Sequence, residues 1–383
     1  MLDFSFTDEQ ESFRKTLREF SLRELLPHYR YWDTNEEYPS DLIKKTLALV
    51  NPFGSDWREA ARARDLITPG IIAEEVARGD FNCVLPSIAP FAMGHFLAEA
   101  SDELKALWLP GLITGEKIIG LCLTEPDAGS DLGSLRSTAV RDGDDFVLNG
   151  EKNSVSFLNA DVFYVFARTE KGSVGHRGIS AFLVPRETEG LEFRPYRDLG
   201  CRAIPRGQLF MSDARVSAKC MVGTEGEAFK MIMKYFDINR AFIGLMCIGA
   251  AQQTLDETVE YTKQKRAFGT PISRFEAVAF ALAEAATRLE LGRLLCYKVL
   301  WKKQAGLPCS MEAAMAKWWT PKICVEIIHE CLILHGHYGY TNEFPIEQRL
   351  RDVIGWQIGD GTPQIQKLII SRLLLGKDFA PIT

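Results

Sequence analysis

The chain has 383 residues, of which 46% are hydrophobic and 25% are charged, a composition that is ordinary for a folded globular protein. One hydrophobic core rarely serves more than about 250 residues, so the length predicts two or three domains. The formal net charge of -6 makes nucleic acid an unexpected main partner, because a generally basic surface is absent. No apolar run reaches the roughly 20 residues of a membrane span.

The nine cysteines are scattered singly without a C-x-x-C pair, which is typical of reduced thiols in a cytosolic protein. The first ten residues show neither a basic nor an apolar leader pattern. Instead, Thr7 and Gln10 form a capping-box pattern that predicts a helix start. We therefore expect a bacterial cytoplasmic protein.

The first third of the chain follows the helical period, as in Phe13, Leu17 and Phe20, and is interrupted by prolines. This pattern predicts an N-terminal α-helical domain over residues 1–118. From 119 to 224, short β-rich runs alternate with turn clusters, which is typical of a compact antiparallel sandwich or barrel. The predicted strands lie at 118–123, 146–148, 162–167, 179–184, 207–210 and 215–221.

Long segments rich in alanine, leucine, glutamate and lysine return from residue 225 to residue 383. The predicted helices lie at 226–263, 274–306, 310–336 and 364–375. Several of them carry apolar residues on more than one face, which favours burial in a bundle or in an oligomer interface. The three regions together predict an α+β fold that ends in a C-terminal four-helix bundle.

The most informative loop is 121–131, which reads Leu-Cys-Leu-Thr-Glu-Pro-Asp-Ala-Gly-Ser-Asp. It leaves a predicted strand and contains a glycine, so its amides and hydroxyls could line a cofactor edge, although an acidic surface turn would look the same. The loop resembles the signature of the acyl-CoA dehydrogenase family. The resemblance continues in chain order at 149–152, 261–269, 334–340, 349–352 and 360–366.

The resemblance implies an FAD held between the β domain and the C-terminal bundle, with a neighbouring subunit completing the site. By position in the family's motifs, Thr124 and Ser130 match hydroxyls that contact the flavin ring and phosphates, and Phe268 matches the aromatic residue that the second subunit offers. The full set of implied cofactor contacts is Leu121, Leu123, Thr124, Gly129, Ser130, Ser154, Ser156, Lys265, Phe268, Gly336, Thr362 and Gln364.

Two of these positions depart from the family pattern. Ser154 stands where the family commonly has a tryptophan against the flavin, so a large stacking surface is missing. Lys265 stands where an arginine is usual, and lysine supplies a charge without a planar fork for a pyrophosphate.

The resemblance also implies a thioester site. Asp237 and Arg240 match a pair that holds the CoA portion of the substrate, and their spacing places them on one helix face. Ser130 and Gly361 are further implied substrate contacts. Asn239 lies where some branches of the family carry their glutamate base, so that alternative position has no acid here.

Asp360 stands where the family usually places its glutamate base. Its local pattern is also that of a turn, because Asp360-Gly361 is turn chemistry and Thr362-Pro363 is a helix N-cap followed by proline. An aspartate is one methylene shorter than a glutamate, so substrate or backbone must come closer by roughly one C–C bond, and a misplacement of about 1 Å can cost about a hundredfold in rate. The following helix favours the anion while burial disfavours it, and the sequence leaves this balance open.

The resulting hypothesis is an FAD-dependent acyl-CoA dehydrogenase in which Asp360 removes a proton and the flavin N5 receives hydride. Electrons would pass to an electron-transferring flavoprotein, and the enzyme would be a homo-oligomer, usually a tetramer in the family. The shorter base, Ser154 and a wall of Phe81, Phe91 and Phe96 favour a branched, alicyclic or carrier-protein-bound acyl group.

Two alternatives stay open. One is a nitroalkane-oxidase-like enzyme of the same superfamily, which also uses an aspartate at this position and passes electrons to oxygen. The other is a non-catalytic flavin-fold protein that binds a partner. A metal site is not expected, because His329, His335 and His337 lack companion ligands at a recognisable spacing.

Overall fold

The computed structural model describes residues 5–376 and Phe379. Helices fill the first third of the chain, strands fill the middle and helices return in the last part. This order confirms the predicted α+β class with its helical, β and helical regions. Within the described residues, no helix is both long enough and apolar enough to cross a membrane.

The N-terminal region is a set of short helices. The predicted capping box opens the first of them, because the Gln10 N–H donates to Thr7 Oγ1 (3.2 Å) and the Thr7 N–H donates to Gln10 Oε1 (3.1 Å). The helices are α1 (Asp8–Phe20), α2 (Tyr29–Asn35), α3 (Ser40–Val50), α4 (Trp57–Arg62), α5 (Ile67–Gly79), α6 (Val84–Ser87), α7 (Ala89–Phe96) and α8 (Asp102–Thr114).

The middle region forms a twisted sheet with the order β6-β7-β3-β2-β4-β5-β8, and β1 pairs with β4. Its strands are β1 (Ile119–Cys122), β2 (Thr138–Asp142), β3 (Asp145–Ser156), β4 (Val162–Arg168), β5 (Ile179–Pro185), β6 (Leu191–Pro195), β7 (Arg206–Ser217) and β8 (Met221–Val222). Most neighbours are antiparallel as expected, but β1 and β2 run parallel to β4.

Three details of the sheet differ from the sequence prediction. The strands β2 and β6 were not predicted, because each is largely exposed and lacks an apolar run. The predicted strands at 207–210 and 215–221 belong mainly to one long strand, β7, which bends at Asp213, where φ is 52°.

The C-terminal region begins with a very long helix. Its elements are α9 (Ala228–Gln264), the hairpin strands β9 (Arg266–Ala267) and β10 (Thr270–Pro271), α10 (Glu276–Gln304), α11 (Ser310–Leu334), α12 (Ile346–Gly355) and α13 (Pro363–Leu375). The helices α9, α10 and α11 pack against one another, and α13 packs on α11. The short helix α12 is an addition to the four predicted helices, because its buried face mixes the polar residues Gln348, Arg349 and Asp352 with the apolar Ile346 and Val353.

The N-terminal and C-terminal helices share one hydrophobic core. Helix α5 crosses α9 so closely that a Cβ added to Gly249 would lie 2.0 Å from the carbonyl oxygen of Glu74. A second core joins one face of the sheet to α7, α8 and the beginning of α9. Helix α9 is therefore fixed from both sides along its length.

The substitution Gly249→Ala is expected to destabilise the protein by about 3 kcal/mol, because the new methyl group would meet backbone that cannot step aside. Thermal unfolding of the purified protein measures this as a lower midpoint. Gly355→Ala is the matched control, since a Cβ added there has no neighbour within 4 Å. Equal midpoints for the two variants would contradict the close crossing of α5 and α9.

Candidate active site

Asp360 lies in the turn between α12 and α13. Its backbone is left-handed with φ at 55°, and Gly361 follows with φ at 100°. Thr362 then caps α13 by accepting a hydrogen bond from the Ile365 N–H, and Pro363 is the first residue of that helix. The turn therefore holds Asp360, Gly361 and Thr362 next to one another, and Gln364 follows on the exposed side of α13.

Two side chains on other helices hold this turn. Asn239 on α9 donates a hydrogen bond from its amide to Oδ2 of Asp360. Lys317 on α11 donates from Nζ to the carbonyl oxygens of Trp356 (2.8 Å) and Gly361 (3.3 Å), and its side chain is fully buried. The position where some family branches carry their base is therefore occupied by an amide that binds the predicted base, Asp360.

Sequence reasoning did not single out Lys317. The available signal was its place in the apolar run Ala313-Ala-Met-Ala-Lys-Trp-Trp319, because a lysine on the buried face of a helix needs a partner. The partners are backbone carbonyls from a turn that is distant in sequence, and a sequence pattern does not show such contacts.

The electrostatic environment of Asp360 resolves the balance that the sequence left open. Burial is the largest effect and raises the pKa of the Asp360 carboxyl, while the charges of Lys317 and Arg240 and the hydrogen bond from Asn239 act in the opposite direction. Burial likewise lowers the pKa of Lys317 to about 8, against the attraction of Asp360. The turn therefore carries a carboxylate that binds a proton more readily than an ordinary aspartate.

The predicted pair Asp237 and Arg240 is formed. Arg240 Nη1 donates to Asp237 Oδ1 (3.1 Å), and Ser310 Oγ donates to Asp237 Oδ2 (2.7 Å). Arg240 is 7% exposed, and its buried Nε has no partner in the described part of the chain. An unsatisfied buried guanidinium donor of this kind fits a polar ligand that arrives from outside the protein.

The loop 121–131 is held by a buried ion pair. Lys152 Nζ donates to Glu125 Oε1 (2.6 Å), and the same carboxylate accepts the backbone N–H groups of Arg136 (2.5 Å) and Ser137 (3.0 Å). The Asn153 N–H donates to the Thr124 carbonyl (2.8 Å), so the loop lies directly against β3.

This contact brings together most of the predicted flavin residues of the β region. Leu123 is buried, Leu121 and Thr124 are half-buried, and Gly129 and Ser130 are exposed at the end of the loop. On β3, Ser156 is half-buried and Ser154 is exposed, with a left-handed φ of 55° at an irregularity in the pairing with β7. An apolar edge bordered by accessible hydroxyls and glycine backbone fits a flat ring system with polar substituents, as FAD requires.

Aromatic contacts extend from the strand before this loop to Tyr235 on α9. Leu121 pairs with Tyr164 in the sheet, and the Phe96 ring lies 5.0 Å from the Tyr164 ring and 4.8 Å from the Tyr235 ring. Burial and then the charge of Asp360 raise the pKa of Tyr235. Phe96 therefore lies between the strand that leads into the predicted flavin loop and Tyr235, whose pKa the predicted base raises.

The remaining predicted cofactor residues lie elsewhere on the chain. Phe268 is 98% exposed on the β9–β10 hairpin, and Lys265 Nζ lies 5.6 Å from the centre of the Tyr338 ring, close to Gly336. Helix α9 extends roughly 36 Å from Arg240 to its last residue, at about 1.5 Å per residue. The structure thus does not bring these three residues to the Asp360 of the same chain.

Three family profiles match in chain order and cover nearly the whole sequence: "Acyl-CoA dehydrogenase, N-terminal domain" at residues 7–116, the "middle domain" at 120–214 and the "C-terminal domain" at 226–375. A probable acyl-CoA dehydrogenase, YngJ of Bacillus subtilis, is 33% identical over 98% of this chain and 100% of its own length. The chain belongs to the acyl-CoA dehydrogenase family. We propose domain boundaries for this family member at 118/119 and 224/225.

Solved structures agree with this membership. Butyryl-CoA dehydrogenase from Megasphaera elsdenii superposes with a TM-score of 0.91 at 30% identity, over 98% of this chain and 100% of that chain. A glutaryl-CoA dehydrogenase from Mycobacterium smegmatis, solved in complex with FADH2, superposes with a TM-score of 0.88 at 27% identity, over 99% of this chain and 97% of that chain. Acyl-CoA dehydrogenases with different acyl substrates thus share the architecture of this chain.

Lys152→Met is expected to lower the free energy of unfolding by about 3 kcal/mol, because it leaves the Glu125 carboxylate buried without its cation. Denaturant unfolding monitored by tryptophan fluorescence measures the change. Arg136→Met is the matched control, since its ion pair with Asp127 is exposed on both sides and should contribute little. An equal loss in the two variants would show that the buried pair does not hold the loop.

Proposed function

We propose that this enzyme catalyses the FAD-dependent α,β-dehydrogenation of an acyl thioester, with Asp360 as the base. The observation that carries this proposal is the half-buried Asp360 carboxylate with a raised pKa, which acts on Tyr235, itself in ring contact with Phe96 beside the strand that leads into the flavin-type loop. A base with a raised pKa suits the removal of a weakly acidic proton next to a thioester carbonyl.

In this mechanism Asp360 accepts the proton from the carbon next to the thioester carbonyl. The chemistry that bound FAD would supply is acceptance of the hydride from the neighbouring carbon. Arg240, braced by Asp237 and with a free buried donor, holds the polar part of the thioester. Ser130 on the loop and Gly361 on the turn would provide the remaining substrate contacts.

The cofactor would be held by the loop and β3 of one chain, through Leu121, Leu123, Thr124 and Gly129 together with the serines 130, 154 and 156. Thr362 and Gln364 would close the site from the turn. Lys265, Phe268 and Gly336 would reach the flavin of a second copy, because they lie at the distant end of α9. The 98% exposure of Phe268 supports this assignment, and with it a homo-oligomer that we expect to be a tetramer.

The aromatic side chains around the turn bear on which acyl group the enzyme accepts. Of the three aromatic residues expected to form its wall, Phe96 lies beside Tyr235 and Phe81 lies near Trp356, with ring centres 6.3 Å apart. Phe91 instead packs against Phe53 in the core. The short base and the crowded Phe96 side favour a branched, alicyclic or carrier-bound acyl group that approaches Asp360 closely.

An electron-transferring flavoprotein is the proposed electron acceptor, as in the family. A cytoplasmic location is proposed as well, and the nine unpaired cysteines support a reducing compartment. A nitroalkane-oxidase-like reaction is the second candidate, because its base is also an aspartate.

The substitution Asp360→Asn is expected to slow flavin reduction by about a thousandfold or more, since asparagine keeps the turn but accepts no proton. The measurement is anaerobic bleaching of the FAD absorbance with butyryl-CoA, isobutyryl-CoA, cyclohexanecarboxyl-CoA, their carrier-protein thioesters and nitroethane. Flavin content and thermal midpoint control for folding. Bleaching at the wild-type rate in Asp360→Asn would place the base elsewhere, and turnover with nitroethane but with no thioester would favour the oxidase.

The rate of flavin reduction is expected to fall at acidic pH with a midpoint above the 3.8 of an ordinary aspartate, because burial raises the pKa of Asp360. The sign follows from the chemistry, since only the ionised carboxylate accepts a proton and the rate rises as pH passes through its pKa. Stopped-flow reduction across the pH range in which the protein stays folded measures this limb. A rate that remains constant down to pH 4 would contradict it.

A further inference from the structure

Asp360 is held by two different kinds of contact, one to its backbone and one to its side chain. The backbone carbonyls of the turn accept hydrogen bonds from Lys317 Nζ and from Nε2 of Gln366, which lies 3.2 Å from the Gly361 oxygen. These contacts fix where the Cα of Asp360 lies. They leave the two side-chain torsions of Asp360 free.

Asn239 acts on those torsions. It is 8% exposed on α9, and its amide nitrogen donates to Oδ2 of Asp360. Within the described residues it is the sole protein donor to this carboxylate, so Oδ1 keeps its acceptor capacity. The amide comes from a helix that is fixed by α5, so it provides a rigid reference point for the carboxylate.

We infer that Asn239 is the positioning residue of the base, holding one carboxylate oxygen of Asp360 so that the other is presented to the substrate. This inference rests on the proposed role of Asp360. The geometry suits a short base, because a carboxylate on a single methylene cannot correct its own position by bending a longer chain. The carboxylate of Asp360 is therefore aligned with the substrate by its fixed orientation, not by the flexibility of a longer side chain.

The same hydrogen bond acts on the proton affinity of Asp360. An amide donor stabilises the anion, as do the positive charges of Lys317 and Arg240, and all three oppose the effect of burial. Of the other ionisable groups nearby, Tyr235 has a raised pKa, and Asp237 is engaged by Arg240 and Ser310. Removal of the Asn239 donor therefore leaves burial less opposed and raises the pKa of Asp360.

The test uses the FAD-loaded enzyme with Asn239→Leu, which has a similar volume and no donor, and with Asn239→Ala in case leucine impairs folding. We expect the rate of flavin reduction above the acid limb to fall about tenfold, because the carboxylate is no longer held in one orientation, and the limb to move to higher pH. KM for the fastest acyl-CoA of the panel should change little. Asn239→Gln, which retains an amide donor, should recover part of the rate.

Infrared difference titration of the same proteins supplies a readout that does not depend on turnover. The carboxylic acid band that disappears in Asp360→Asn identifies the group, and its midpoint should move to higher pH in Asn239→Leu and Asn239→Ala. Asn149→Ala is the matched control, because Asn149 makes an amide-to-carboxylate hydrogen bond of 3.0 Å with Asp213 on the sheet. In Asn149→Ala, the acid limb of flavin reduction and the midpoint of the Asp360 infrared band should have their wild-type pH values.

The outcomes separate the two proposals. Wild-type rates above the limb in both Asn239 variants, with the limb and the infrared midpoint unmoved, would overturn the positioning role and leave Asp360 as the base. Wild-type rates in Asp360→Asn would overturn the base itself, whatever the Asn239 variants do. A lower rate above the limb, together with a limb and an infrared band that both move to higher pH in the Asn239→Leu and Asn239→Ala variants but not in Asn149→Ala, would establish the inference.

Discussion

The close crossing of α5 and α9 is the constraint on which the arrangement of the site depends. Glu74 takes part twice, because its carbonyl lies against Gly249 and its fully buried carboxylate binds Arg293 Nε of α10 at 2.7 Å. Backbone contact and ion pair thus fix three helices at one place. Helix α9 is thereby held in a fixed position. It carries Asp237, Asn239 and Arg240 in its first half, and the Phe268 hairpin follows its last residue.

The buried carboxylate of Glu125 and the half-buried carboxylate of Asp360 show how different surroundings give different roles. Glu125 accepts hydrogen bonds from Lys152 and from two backbone amides, so its acceptor capacity is largely used and its charge is compensated. Asp360 accepts a hydrogen bond from Asn239. The positive charges of Lys317 and Arg240 attract it electrostatically without a hydrogen bond to its carboxylate. The first arrangement stabilises a loop. The second leaves a carboxylate with unused capacity, which is what a proton acceptor needs.

The sequence was most informative where function depends on contiguous residues. The loop 121–131, the capped turn at Thr362 and the pair of Asp237 and Arg240 all follow local rules of turns and helix faces, and the structure forms each of them. The sheet was predicted less well, since β2 and β6 bury too little apolar surface to show a period. The pairing of distant segments was the part that no pattern revealed.

Asn239 and Lys317 illustrate that limit. The sequence drew attention to Asn239 only because an acid is absent at that position. Its inferred role comes from the hydrogen bond of its amide to Asp360, 121 positions away. Lys317 was hidden in an apolar helix, and its partners are carbonyl oxygens that have no side-chain signature. Both contacts arise from tertiary packing of α9 and α11 around the turn, so they follow from the fold rather than from local propensity.

The left-handed backbone of residue 360 has a consequence for which amino acid can occupy it. At a φ of 55°, aspartate and asparagine are several-fold enriched over other non-glycine residues, whose longer or branched side chains are strained by roughly 1–2 kcal/mol. A glutamate at this position would extend further toward the substrate but would lack the preference of aspartate for the left-handed conformation. The conformational preference of the turn therefore stabilises the same short side chain that we propose as the proton acceptor.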